Sequence, residues 1–242
     1  MPACLSFIPT TVRARSSGLA EFSQITFDGL CKTARAKHLQ VLGGLHPQEG
    51  EDVPEGSKTL LLLGPGEPGF WANVTASPEF LDNQPDPLDR WSCRVISEWA
   101  SELDAMALFP FGGPPYRPFT RWARETGRSH ASPVGLLAHD TAGLMVSFRG
   151  ALALPDRIDL PTPPPSPCLT CNEKPCLHAC PAAVLDAKGY DVSGCHDFLS
   201  TNAGGDCMEN GCAVRRACPV SEHYGRVAEQ SAYHMTLFYT SR

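Results

Sequence analysis

The segment Cys168-Leu-Thr-Cys171-Asn-Glu-Lys-Pro-Cys176-Leu-His-Ala-Cys180-Pro181 places four cysteines within 13 residues and ends in Cys-Pro. A second segment, Cys207-Met-Glu-Asn-Gly-Cys212-Ala-Val-Arg-Arg-Ala-Cys218-Pro219, has the same ending, and a lone Cys195 lies between the two. Together with Cys195, these two segments hold eight of the 11 cysteines of the 242-residue chain, whereas Cys4, Cys31 and Cys93 are scattered upstream. The cysteines of residues 168–218 therefore form one pattern.

This pattern resembles the bacterial two-cluster ferredoxin run C-x2-C-x2-C-x3-C-P, in which three cysteines bind one cubane and the fourth, before the proline, binds the other. Eight thiolates in two such groups are the ligands that two [4Fe–4S] clusters require. The first cluster is predicted to be bound by Cys168, Cys171, Cys176 and Cys218, and the second by Cys180, Cys195, Cys207 and Cys212.

Other uses of these cysteines remain open from the residues alone. The first group approximates a zinc knuckle, and two Cys4 zinc sites would use the same eight thiolates. A single cluster or a set of disulfides are further readings. Clusters are favoured because zinc ligands more often come as two well-separated cysteine pairs.

Composition indicates a globular chain, with 42% hydrophobic and 19% charged residues. The net charge is −6, and the 20 Lys and Arg residues are spread thinly, so nucleic-acid binding through a basic surface is not expected. No apolar run approaches the roughly 18 residues of a membrane span, and the N-terminus shows no secretory signal. We expect a cytoplasmic protein with no membrane contact, whose partner is a redox protein or a small-molecule electron acceptor.

The chain divides into four predicted parts, and the fold class is α+β. Residues 1–20 form an N-terminal arm, 21–154 a mixed α/β domain, 155–167 a proline-rich linker, and 168–242 a ferredoxin-like double-cluster module. Apolar periodicity predicts helices at 20–42, 86–103 and 121–126, and a strand at 58–63. Residues 134–139 and 144–152 are predicted to pair as a hairpin.

The order of cysteine groups carries a family resemblance. The first group is followed by Leu185-Asp-Ala-Lys188, by Cys195 with His-Asp-Phe-Leu-Ser-Thr201, and by the closing Cys-Pro group. Upstream lie Ser132-Pro-Val-Gly-Leu-Leu-Ala-His139 and Asp140-Thr-Ala-Gly-Leu-Met-Val-Ser-Phe148. This arrangement resembles the C-terminal module of epoxyqueuosine reductase and the reductive dehalogenases, and the strand pair before it.

The resemblance implies that the N-terminal domain is related to flavin nitroreductases and cobalamin-processing proteins, and that a corrinoid bound there receives electrons from the clusters. Tyr116, Arg117 and Arg121 are the candidates for lining such a cofactor pocket, and the alternative is a surface loop with solvated arginines. The chain departs from the family at Gly112-Gly-Pro-Pro115, where the queuosine enzymes carry an acidic residue.

The function that the sequence favours is electron transfer through two [4Fe–4S] clusters, to a partner or to a redox cofactor on the N-terminal domain. The first alternative is a corrinoid-dependent reductase of the epoxyqueuosine reductase type. The second alternative is a zinc-stabilised interaction module without redox chemistry.

Overall fold

The protein is mixed α/β with small antiparallel sheets, and the computed structural model describes residues 25–48 and 52–241. The predicted arm at 1–20 lies outside these residues. The elements before the cysteine groups are α1 (Phe27–Ala36), β1 (Leu39–Leu45), β2 (Thr59–Pro65), α2 (Phe70–Thr75), α3 (Pro78–Leu81), α4 (Pro87–Glu102), β3 (Met106–Leu108), α5 (Phe119–Glu125), β4 (Ser129–Ala131), β5 (Leu137–His139) and β6 (Gly150–Leu154).

The main sheet has the strand order β1-β2-β6-β3, and all of its neighbours are antiparallel. Its central strand β2 carries four consecutive leucines with no exposed surface, because both faces of the sheet are covered. Leu61 and Leu63 pack with residues of α1, α2 and α4, whereas Leu60 and Leu62 pack with Phe119 of α5. The sheet therefore lies between two helical layers.

Three predicted elements are confirmed with small shifts at their ends. The strand predicted at 58–63 is β2, and the helix predicted at 86–103 is α4, which buries Trp91, Ile96 and Trp99 on one face. The short helix predicted at 121–126 is α5, which ends before Gly127, a residue with φ of +70°. The apolar periodicity and the end signals of each element lie within its own residues, so the local sequence is enough to predict it.

The helix predicted at 20–42 is wrong beyond its middle. Helix α1 stops at Ala36, and His38 takes a left-handed conformation with φ of +56°. The next residues form β1, which pairs with β2 from Leu39 to Leu45 with a bulge near Val41. Pairing with a fully buried strand overrides the helical spacing, a long-range effect that the local pattern does not show.

The hairpin predicted from 134–139 and 144–152 is also wrong. Strand β5 pairs with β4, while β6 lies between β2 and β3 in the main sheet. An isolated bridge between His139 and Gly143 is recorded where the hairpin was expected. Because all five residues of β6 are buried, this segment suits a central strand better than one side of a hairpin.

The proline-rich segment 155–167 has no helix or strand before Pro167, and it is held against the first part of the chain. The Ile158 N–H donates to Thr59 Oγ1 over 3.1 Å, and its side chain is buried in the main core. His46 Nε2 lies 3.0 Å from the Ile158 carbonyl oxygen. The segment is therefore extended but packed along the sheet.

The cysteine-rich part consists of short elements and one longer helix. These are 3₁₀ turns at Pro167–Leu169, Pro175–Leu177 and Asn202–Gly204, the strands β7 (Leu185–Asp186) and β8 (Gly189–Tyr190), and the helices α6 (Val192–Leu199), α7 (Gly205–Asn210), α8 (Ala213–Arg216), α9 (Pro219–Glu222) and α10 (Ala228–Thr240). Within the described residues, no helix combines the length and the apolar character needed to cross a bilayer.

Candidate metal centre

One cavity of about 430 Å³ is lined by the four cysteines predicted for the first cluster, Cys168, Cys171, Cys176 and Cys218. The 3₁₀ turns that begin at Pro167 and Pro175 each place a cysteine at their second position. Cys218 reaches the same cavity from the N-cap of α9, immediately before Pro219.

A separate cavity of about 290 Å³ is lined by the four cysteines predicted for the second cluster, Cys180, Cys195, Cys207 and Cys212. Cys195 lies in α6, Cys207 lies in α7, and Cys212 is the N-cap residue of α8. Cys180 comes from the first sequence group and precedes Pro181, whose ring turns the chain away.

The structure thus brings the eight cysteines together in the two sets that the sequence pattern defines. Cys180 ends the first group but faces the second cavity, and Cys218 ends the second group but faces the first cavity. This exchange is the property that distinguishes the two-cluster ferredoxin pattern from two independent four-cysteine motifs. Their role as ligands remains a prediction.

The thiols within each set influence one another electrostatically. Burial, followed by the neighbouring Cys218, raises the pKa of Cys168. Burial also raises the pKa of Cys195, and three further thiols of its set, Cys212, Cys180 and Cys207, add to that rise. Four thiolates can share such a cavity only if positive charge compensates them, and metal ions supply that charge when they bind thiolates.

The donor set is entirely sulfur, and it surrounds a cavity. In the part of the chain that the structure describes, no group of three or more His, Cys, Asp or Glu side chains is arranged to hold a metal ion. In a cubane each cysteine binds a different iron, so four thiols around a cavity fit that group.

The second cavity has further lining residues that the sequence reasoning missed. Ser231, His234, Met235 and Phe238 line it from α10, at the spacing i, i+3, i+4, i+7 of a single helix face. This spacing is the signal in the sequence that could have placed these four residues on one helix face. Phe238 contacts the His196 ring at a centroid distance of 4.4 Å and stacks on Tyr190 at 6.3 Å, so α10 covers this cavity.

Two arginines, Arg215 and Arg226, complete the polar lining of the second cavity. Arg215 donates to the Leu144 carbonyl, and Arg226 donates to the Met145 carbonyl over 3.3 Å. Their positions depend on long-range contacts with the loop before β6, so no local motif marks them.

Contacts between the loop at 143–145 and the cysteine-rich part lie beside both cavities. The Leu144 N–H donates to Ser221 Oγ over 2.8 Å. A side chain added at Gly143 would meet Cys218 Sγ at 3.0 Å, so the backbone passes close to the first set. Leu144 lines the first cavity and Met145 lines the second.

The other predicted site residues lie elsewhere. Arg117 donates to the Asp52 carbonyl over 2.8 Å, and Arg121 pairs with the Asp52 carboxylate at 2.9 Å, both at exposed positions. Both arginines line an open depression that shares no residue with either cysteine cavity, and Tyr116 is 62% exposed. The structure does not bring these three residues to the cysteines, and the corrinoid pocket remains a prediction.

No protein-family model, no curated protein and no solved structure matches the chain.

Proposed function

We propose that this protein is an electron-transfer protein that carries two [4Fe–4S] clusters, one in each four-cysteine cavity. The observation that carries the proposal is the division of the eight cysteines between two cavities, with Cys180 and Cys218 exchanged between the sequence groups. A zinc module needs no such exchange, whereas the two-cluster ferredoxin pattern includes it.

When bound, an all-cysteine [4Fe–4S] cluster accepts and releases one electron at low potential. The chain's own residues hold the thiols in place and limit the access of water. Tyr190 lies against Cys195, and burial followed by a hydrogen bond with that thiol raises the tyrosine pKa. Phe238 stacks on Tyr190 and lines the same cavity, so both aromatic rings lie beside the second site.

Several finer features belong to the same proposal. We propose a ferredoxin-like identity for the cysteine-rich part and a relation of the first part to flavin nitroreductases and cobalamin-processing proteins. The partner is a redox protein or a small-molecule electron acceptor. A cytoplasmic location is proposed on chemical grounds, since a reducing compartment keeps eight thiols available for metal.

The function is tested by reductive titration of the full chain after anaerobic purification. Under dithionite, we expect uptake of about two electrons per chain and a paramagnetic resonance signal typical of reduced cubanes. A one-electron acceptor should restore the oxidised spectrum. A protein that takes up no electrons would refute electron transfer. Cobalt that accompanies the protein would instead favour the corrinoid-dependent reductase.

A further inference from the structure

The two arginines at the second cavity, Arg215 and Arg226, form no ion pair with a carboxylate. Among the described residues, neither Arg215 nor Arg226 has a carboxylate oxygen within 4.0 Å. The described lining of this cavity contains no Asp or Glu. Both arginines are partly buried. A partly buried cation without a counter-ion is costly, so the cavity favours an anion.

The surrounding titratable groups compensate this positive charge only in part. Burial, followed by the charges of Arg226, Arg149 and Arg215, lowers the pKa of His234 to about 3, so this histidine is neutral at pH 7. Glu67 is the carboxylate that acts on Arg226, but the two side chains form no ion pair within 4.0 Å. Burial raises the pKa of Glu67, and a hydrogen bond with Gln230 and the charge of Arg226 oppose that rise.

The first cavity has a different electrostatic environment. Its charged lining residues are Glu173 and Lys174, which carry opposite charges and are both exposed. Charges in solvent are screened and act weakly on a neighbouring site. The described lining of this cavity contains no arginine.

We propose that Arg215 and Arg226 raise the reduction potential of the second cysteine site above that of the first. At equilibrium, a single electron that enters the protein is then located mainly at the second site. The proposal rests on the proposed function. Reduction adds one negative charge to a site, and nearby cations favour the reduced form. A low-potential one-electron donor supplies the electron to the first site. That site then loses the electron that the second site gains, so no proton or further reactant is needed.

The test is a redox titration of the anaerobic full-length protein, followed by paramagnetic resonance. Two midpoint potentials are expected, and Cys195→Ser should abolish the higher one. Arg215→Gln should lower the reduction equilibrium constant at the higher midpoint about tenfold, which is about 59 mV for one electron, and leave the lower midpoint unchanged. Arg215→Lys keeps the positive charge, so its higher midpoint should lie close to that of the parent protein.

Matched variants separate charge at the cavity from charge elsewhere. Arg216 is the next residue on α8 and already pairs with Asp206, so Arg216→Gln should shift the higher midpoint less than Arg215→Gln does. Arg35 is exposed on α1, and Arg35→Gln should shift neither midpoint. Arg226→Gln should lower the higher midpoint by itself, and it decides the test if Arg215→Gln fails to fold.

The outcomes distinguish this inference from the proposed function. Two reducible clusters whose potentials do not change in Arg215→Gln and Arg226→Gln would overturn the inference and leave electron transfer intact. A shift of the lower midpoint in these variants would overturn it as well. A chain that contains no iron would refute the proposed function itself.

Discussion

Cys195 distinguishes the second cysteine set from the first, because it lies outside both dense cysteine groups and still lines the second cavity. Replacing it by serine removes a thiolate from that set alone. We expect Cys195→Ser to retain about half of the iron, at the first site. Iron analysis and paramagnetic resonance measure this result.

The matched control is Cys31→Ser, since Cys31 is half-buried beside the main core and lines neither cavity. It should keep all of the iron. Full iron retention in Cys195→Ser, or equal losses in both variants, would contradict the assignment of Cys195.

Asp140 is the residue whose ionisation has the clearest effect on stability. Arg128 donates to both of its oxygens, over 2.8 and 2.9 Å. Burial alone would raise the pKa of Asp140, but hydrogen bonds with His139 and Arg128 lower it from 3.8 to about 2. A lowered folded-state pKa stabilises the protein above pH 3.8, and this contribution is lost as the pH falls through 2.

Asp140→Asn should therefore reduce the free energy of unfolding at pH 7 by about 2 kcal/mol, and the deficit should shrink as the pH approaches 2. Urea denaturation followed by tryptophan fluorescence measures the difference in unfolding free energy between the variant and the parent. Acid removes metal from both proteins, so that effect largely cancels in the difference. The exposed Asp159 gives the control Asp159→Asn, which should change little. A deficit that does not vary with pH would contradict the prediction.

At the scale of elements, α10 protects the second cavity by aromatic contacts. Phe238 contacts His196 and Tyr190, and such pairs contribute about 0.5–1.5 kcal/mol each. Phe238→Ala should let α10 open up to about tenfold more often. Air exposure should then bleach the second cluster faster by a similar factor, as measured by visible absorption.

Leu237 is the neighbouring residue on the outer face of α10 and is 49% exposed. Leu237→Ala should bleach at the parental rate. Equal bleaching of Phe238→Ala and the parent would show that α10 does not limit access to this site.

Elements with local signals were predictable, and elements that depend on distant partners were not. Helix α4 follows from its apolar stripe, and β2 follows from its leucine run. The first residues of strand β1 fall within the helix predicted at 20–42, because their pairing with β2 is not encoded in their own spacing. The same reason explains Arg215, whose contact with the Leu144 carbonyl joins residues 71 positions apart.

At the scale of the whole molecule, the cysteine-rich part and the first part share buried contacts. Val134, Ala138 and Leu144 pack with Cys176, Leu185 and Val214 in one cluster. Tyr224 donates to the Pro65 carbonyl over 2.8 Å, and Trp71 packs on Tyr233 of α10 at a centroid distance of 5.2 Å. Metal binding in the cysteine-rich part should therefore stabilise the first part as well.

Removing iron with a chelator should lower the Tm of the whole chain and shift the emission of Trp71 toward that of a solvated indole, because its contact with Tyr233 is lost. Calorimetry and fluorescence measure these effects, and Trp71→Phe identifies the reporter. An iron-free protein with unchanged Tm and emission would show that the two parts are not coupled.

The central claim is that each four-cysteine cavity holds an iron–sulfur cluster, and the most direct test is the metal and acid-labile sulfide content of the anaerobically purified full chain. We expect about eight irons and about eight sulfides per chain. A colourless protein with about two zinc ions and no sulfide would contradict it.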